Sequence, residues 1–210
     1  MKARSEVNLD EGRLVRVTEE HYEQALQCLR DHFLTDEPLH IVGGATWDAD
    51  NIECHTRTLR QNISVMIVHE TNGEVMTLLT NQVEQKGETH GSGMVWDYVH
   101  ACENKANVFG YFNVDEAVQL FSLVTNRKYR QRGLGTKVVQ ASLAMIRNFG
   151  VGKVCVKGEG SSLYTQKIFE KVGMQCLYTG FYCEHEIDGK KVLDGTAIHD
   201  SIKMYGMMVE

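Results

Sequence analysis

Two stretches of this 210-residue chain combine residue types and spacings that do chemistry. The first, "RKYRQRGLGT" at 127–136, sets Arg127, Lys128, Arg130 and Arg132 around a turn spaced by Gly133 and Gly135. Two glycines so close permit a bend that other residues resist, and the bend hands consecutive backbone N–H groups to the start of a helix. A helix start carries four unpaired donors and partial positive charge, so it suits phosphate oxygens. The second is Glu37 before Pro38, the one proline. Proline pushes the preceding residue towards extended backbone and stops a helix, which leaves a carboxylate able to face a cleft and accept a proton. Each stretch also has a plainer reading: a solvated basic run or import signal for the hexapeptide, and a helix end with solvated acids for "TDEP".

Known phosphate motifs discriminate further. A nucleotide P-loop needs GxxxxGK followed by Ser or Thr; "FGVGKV" places Val154 where a magnesium ligand belongs, so that reading fails. A dinucleotide site needs GxGxxG after the first strand of a parallel unit, and only GxG stands here, on a late strand.

Elements must position these stretches. "LVRVT" (14–18) reads as a first strand, and Tyr22, Ala25, Leu26, Leu29 and Phe33 recur at helical spacing up to Pro38. A weaker helix is predicted over 49–61. "ISVMIVHE" and "EVMTLLTN", joined by "TNG", predict an antiparallel hairpin. "QVEQKGETHGSG" (82–93) reads as a long polar loop able to close over a small ligand, followed by a helix at 94–107. "AVQLFSLVT" (117–125) is apolar on both faces, as a central strand is, and runs directly into the glycine turn. Beyond it, a helix ends near Gly150, "KVCVK" forms a buried strand, and Ser161 or Ser162 caps a helix whose Tyr164, Ile168 and Val172 face the core before Gly173. Two last strands follow, around a "DG" turn. The sum is an α/β (α+β) domain with a mixed, mostly antiparallel sheet covered by helices, one domain over 1–210.

Composition sets limits. With 42% hydrophobic residues the chain can bury a substantial core, and no low-complexity tract marks a linker. No apolar run reaches the roughly 20 residues of a membrane span, and the start lacks a secretory apolar core. Six scattered cysteines and nine scattered histidines show no metal-ligand spacing, so reduced thiols, a cytoplasmic location and no metal are expected. The net charge of −6 speaks against nucleic acid as a partner and is compatible with a cationic small substrate.

The pattern Arg130-x-x-Gly133-x-Gly135, after a strand and opening a helix, resembles the signature of the GCN5-related N-acetyltransferases (GNAT superfamily). "KVCVK" and "SSLYTQKIFEKVGM" fall where that family's next strand and helix lie, "EKVGM" being similar to its "EKLGF". "HFLTDEPLH" resembles the "FFxDEPLN" stretch of the insect-type arylalkylamine (dopamine) N-acetyltransferases. The likeness spans nearly the whole chain and is weakest over 40–115.

The resemblance implies the GNAT fold and acetyl-coenzyme A as co-substrate. Backbone around Arg130, Gln131, Arg132, Gly133, Leu134, Gly135 and Thr136 would hold its pyrophosphate, and the end of the central strand, Leu123, Val124 and Thr125, its pantetheine arm. It implies acetyl transfer to a small primary amine such as dopamine, tyramine, octopamine or serotonin, with polyamine acetylation or a non-catalytic coenzyme-binding role as alternatives. Such an amine, with a pKa near 10, is only about 0.1% neutral at pH 7, so a base is needed before an acid. The family's catalytic glutamate falls on Glu37, acting through a bridging water. Its serines with a role at the departing thiol match Ser161 and Thr165, the threonine being a departure. The tyrosine acid of many superfamily members is replaced by Phe169. Phe33, Trp96, Tyr111 and Phe112 are expected to line an aromatic slot for the ring, against the alternative that each is ordinary core.

Overall fold

The structure, a computed structural model, describes residues 11–210 except 92, 151, 188–189, 192 and 194–195. The chain opens with β1 (Gly12–Arg16) and, after a short 3-10 turn, α1 (Tyr22–Cys28). At Leu29–Phe33 the helix widens into a π turn, closed by Leu34 N–H donating to Leu29 O at 2.9 Å. Pro38 does end that run, and it also begins the next: it is the first residue of α2 (Pro38–Gly43), where its missing N–H costs nothing. α3 (Ala49–Arg60) is capped by Asp48, whose carboxylate accepts from Asn51 N–H at 3.0 Å.

β2 (Val65–His69) and β3 (Val75–Gln85) form the expected hairpin; Gly73 at φ +71° turns the corner and Asn72 Oδ1 accepts from Glu74 N–H. β3 is longer than "EVMTLLTN" suggests. Residues 82–85 continue its pairing with β4 (Glu116–Thr125), so the expected 82–93 loop shrinks to 86–93. Polar Gln82 and Glu84 hid the strand because their partners are polar too. α4 (Met94–Ala106) and α5 (Val108–Phe112) precede β4; α6 (Leu134–Arg147), β5 (Val154–Gly160), α7 (Leu163–Lys171) and β6 (Gln175–Phe181) follow it. A two-stranded ribbon, β7 (Glu186–Ile187) with β8 (Lys190–Lys191), leads to β9 (Ser201–Val209). The expected "DG" turn lies outside the described residues.

Seven strands make one sheet in the order β1-β2-β3-β4-β5-β9-β6, antiparallel throughout except for β4 beside β5. On one face α6 and α7 bury Val138, Leu143, Ile146 and Phe169 against Leu79, Leu120 and Val156. The other face is covered in two patches. α1 and α3 bury Leu29 and Leu59 over the β1–β4 half, while α2, α4 and α5 bury Leu39, Val99 and Val108 over β5, β9 and β6. Tyr164, expected in the core, is 64% exposed; Gln166 and Phe169 take the inward positions of α7. Ser162, one of the two expected caps, begins the helix, and Ile168 and Val172 pack on the core as expected.

Candidate active site

The glycine turn has the conformation its sequence demands. Gln131 and Gly133 stand at φ +63° and +72°, and Gly133, as N-cap of α6, supplies no side chain, so the first amides of α6 carry no side-chain cap. A Cβ on Gly133 would meet nothing within 4 Å, whereas one on Gly135 would approach Ile168 Cδ1 to 2.9 Å. Gly133 is thus required by its left-handed backbone and Gly135 by the close approach of α6 to α7. Leu134 is buried in the core beneath the turn, and Thr136 lies in the first turn of α6. Thr125, at the end of β4, shares its hydroxyl with Thr77 at 3.1 Å; Val124 O accepts from the Thr77 hydroxyl at 2.8 Å, and Leu123 packs towards α6.

The basic side chains around the turn are largely matched. Arg127 and Arg130 both donate to the Asp36 carboxylate, and Arg127 also reaches the Thr35 hydroxyl at 2.7 Å. Arg130 Nε donates to Thr125 O at 3.1 Å. Lys128 pairs with Glu74 at 2.8 Å, which also accepts from Tyr129 OH at 2.6 Å. Arg132 lies over the Tyr129 ring and 3.5 Å from Glu11. The hexapeptide's attraction for phosphate is weaker than four free charges imply, and its arginines tie the turn to the residue beside Glu37.

Glu37 is half-buried with φ −73° and ψ 124°, the extended backbone its proline imposes. Its carboxylate caps α2, accepting from His40 N–H at 2.5 Å. Its charge acts on two neighbours. One is Tyr182, whose pKa is raised chiefly by burial and then by Glu37; the other is His199, whose pKa burial lowers against the pull of Glu37 and Asp200. Tyr182 OH donates to Ser161 O at 2.7 Å, and His199 Nδ1 accepts from Leu163 N–H at 3.2 Å. Glu37, Tyr182, His199 and Ser161 therefore gather at the start of α7. Ser161 precedes the cap and is not four along a helix from Thr165, as expected; Ser162 caps α7, accepting from Thr165 N–H, and its hydroxyl lies 3.0 Å from that of Thr165.

The expected aromatic set divides. Phe33, on the π turn, meets His40 edge-on at 5.1 Å and His55 at 6.2 Å. Trp96, on α4, lies beside His100. Tyr111 is 56% exposed with its OH accepting from Gln175, and Phe112 packs on β9 near Gly206. Gly206 pairs with Gln175 at the start of β6, while Tyr182 follows that strand's end, so the structure does not bring Tyr111 and Phe112 together with Phe33. The rings around Phe33 are ones the sequence did not single out: Trp47 stacked on His55 at 5.7 Å, and Phe121 at 5.9 Å from His55. Burial, then His40, lowers the His55 pKa to about 4, so that imidazole is neutral.

Phe121 is the extra residue of a bulge: Thr80 pairs with Ser122 but Asn81 with Leu120. At this point β4 and β5 part. Their parallel ladder holds only Val118↔Val156, Gln119↔Lys157 and Leu120↔Gly158. Beyond it, Phe121 and Glu159 are the first residues on either side. Behind them runs a seam of buried polar groups. Lys157, 4% exposed, donates to Glu84 at 2.8 Å and Glu103 at 2.7 Å and lies 3.5 Å from Glu159. Gln119 Nε2 donates to both Glu159 oxygens at 2.9 Å, and Gln82 links Gln119, Thr58 and His90. Alternation in "VCVKGEG" is the signal that was available: Lys157 and Glu159 sit two apart in a strand otherwise buried, where charge demands partners.

No protein-family model and no curated sequence matches this chain. Solved structures do. The chain is similar to arylalkylamine N-acetyltransferase 2 from Aedes aegypti, with a TM-score of 0.86 at 17% identity over 95% of this chain and 99% of that one. The fold is the GNAT fold. A mosquito arylalkylamine N-acetyltransferase-like protein, 5b, shares it at TM-score 0.82 and 18% identity, covering 94% and 99% of the two chains. So does a polyamine N-acetyltransferase from Drosophila melanogaster that forms N-acetylagmatine, at 0.78 and 19% over the same shares. The GNAT sheet of this chain has its one parallel neighbour pair at β4 and β5, and the uncapped start of α6 and the Glu37 cluster both border that pair's open end. Among the described residues no helix is long and apolar enough to cross a membrane, and no group of three or more His, Cys, Asp or Glu could hold a metal.

Proposed function

We propose that the protein transfers acetyl from acetyl-coenzyme A to a small primary amine. The observation that carries this reading is the gap between β4 and β5, which has helix-start amides without a side-chain cap at one side and Glu37 at the other. The diphosphate takes the amides of 133–136, and the pantetheine arm lies along 123–125, whose edge towards β5 has no ladder partner. The thioester then reaches the bulge at Phe121.

Glu37 receives the ammonium proton through a water. The neutral nitrogen attacks the thioester carbonyl, a C–N bond forms, the C–S bond breaks, and the thiolate takes a proton from the hydroxyl pair at Ser162 and Thr165 or from Ser161. Thr165 keeps the hydroxyl the family's serine supplies. Because the leaving thiol has a pKa near 8.5, this last step needs less help than the first.

An arylalkylamine such as tyramine, dopamine, octopamine or serotonin suits the rings of Phe33, Trp47, His55 and Phe121. The enzymes of similar structure act on arylalkylamines in mosquitoes and form N-acetylagmatine in the fly. A polyamine is the second reading, favoured by the carboxylates of the buried seam. The test is thiol release from acetyl-coenzyme A by the purified protein across a panel of both amine classes. Coenzyme binding without thiol release would leave a non-catalytic coenzyme-binding protein.

A further inference from the structure

We infer that Glu159 is the docking group for the acceptor's ammonium, in a buried charge set whose carboxylates outnumber its cations. The inference rests on the acetyl-transfer reading for its acceptor, but its own evidence is the charge count. One lysine faces three carboxylates, those of Glu84, Glu103 and Glu159. Glu84 is 4% exposed; its Oε1 accepts from Lys157, but its Oε2 has no hydrogen bond, and His90 Nε2 stands 3.5 Å away, too far for a good one. Unpaired carboxylate oxygen at such depth is costly, and an N–H-bearing cation is what relieves it.

The place fits the chemistry. Glu159 is 14% exposed and Glu103 25%, so each combines contact with Lys157 and an opening; of the two, Glu159 stands on the strand that borders the gap. It follows the last rung of the β4–β5 ladder, as Phe121 does on β4, and an aromatic ring is a side chain that attracts a cation. Gln119 fixes both its oxygens from the strand side, leaving their outer lone pairs towards the gap. An ammonium offers three donors, enough for Glu159 and a neighbouring acceptor. Groups facing Glu159 that titrate or bear charge are Lys157 on its own strand, Glu84 on β3, Glu103 on α4 and His90 on the 86–93 loop. Burial raises the Glu159 pKa, Lys157 opposing and Glu103 and Glu84 adding, which is the direction a shortage of nearby cations produces.

The experiment compares amines with the alcohols of the same skeleton: 2-phenylethylamine with 2-phenylethanol, and 1,4-diaminobutane with 1,4-butanediol. Each is titrated calorimetrically into the full chain saturated with coenzyme A. The wild type should bind at least one amine ten-fold or more tighter than its alcohol; Glu159→Gln should bind the two alike, with coenzyme affinity unchanged. Glu159→Asp, which keeps the charge but withdraws it, should fall between, and it serves if the glutamine variant does not fold. Discrimination that survives in Glu159→Gln overturns the inference, as does a wild type that binds no amine or binds amine and alcohol alike. Failure to bind coenzyme A at all would instead strike the proposed function.

Discussion

The carboxylate of Asp36 accepts from the guanidinium of Arg127, 91 residues further along the chain, and Arg130 joins the same carboxylate. Residue 36 adjoins Glu37 while residues 127 and 130 flank the glycine turn, so the two ends of the site are strapped together. Asp36→Asn should cost under about 1 kcal/mol, since these pairs are partly exposed, and lower the melting temperature by only about 2–4 °C. Turnover should fall further than that small loss implies, because Glu37 loses its strap. Turnover and coenzyme affinity both at wild-type level would show the strap to be idle.

Glu37→Gln and Glu37→Ala separate two roles of one carboxylate. Glutamine keeps an oxygen for His40 N–H, so stability should change little; alanine removes the α2 cap and should cost about 1 kcal/mol. Both should lower kcat, on the order of 10²–10⁴-fold, if the carboxylate takes the proton. Steady-state rates beside melting curves check this, and a fully active glutamine variant would discard the assignment.

Gly133 and Gly135 answer to different constraints and should fail differently. Gly133→Val forces a β-branched residue to φ +72°, with open space around it, so the turn deforms and coenzyme affinity drops. Gly135→Val drives a side chain against Ile168, so the loss should appear first as a lower melting temperature. Calorimetry with coenzyme A and thermal unfolding on both variants distinguish the two.

Glu159 ties stability to pH in the direction opposite to most acids. Burial raises its pKa in the folded chain to about 7, against about 4.3 unfolded. Its contribution is therefore full below about pH 4.3 and is lost as pH climbs to 7. Glu159→Gln should melt higher than the wild type at pH 8, with the difference shrinking at pH 5. A glutamine variant less stable at pH 8 than at pH 5, relative to wild type, contradicts this.

What the sequence disclosed follows from how local each signal is. The turn at 131–135, the proline at 38 and the hairpin at Gly73 are set by backbone rules that act within a few residues, and all three stand where expected. Glycine at 133 needed no knowledge of the rest of the chain. The aromatic slot was not local: Phe33, Trp47, His55 and Phe121 come from four elements, and no spacing connects them. Tyr164 departs from the expected core stripe because it stands in the first turn of α7, where it projects to solvent beside His199, while Ile168 and Val172, further along, do pack on the core. Gln82 and Glu84 read as loop because a polar strand residue looks like solvent unless its polar partners on β4 and β5 are known.

The three rungs joining β4 to β5 also divide the chain by age of synthesis. Every strand on one side of the divide, β1 to β4, lies within the first 125 residues, and every strand on the other, β5, β6 and β9, lies after residue 153. The sheet is thus a book of two sequence-contiguous leaves on a narrow spine, with α6 as the length of chain that crosses between them. Those amides of 118–120 and 156–158 that point across the spine are its stitching, and their exchange with solvent hydrogen would report how often the book opens.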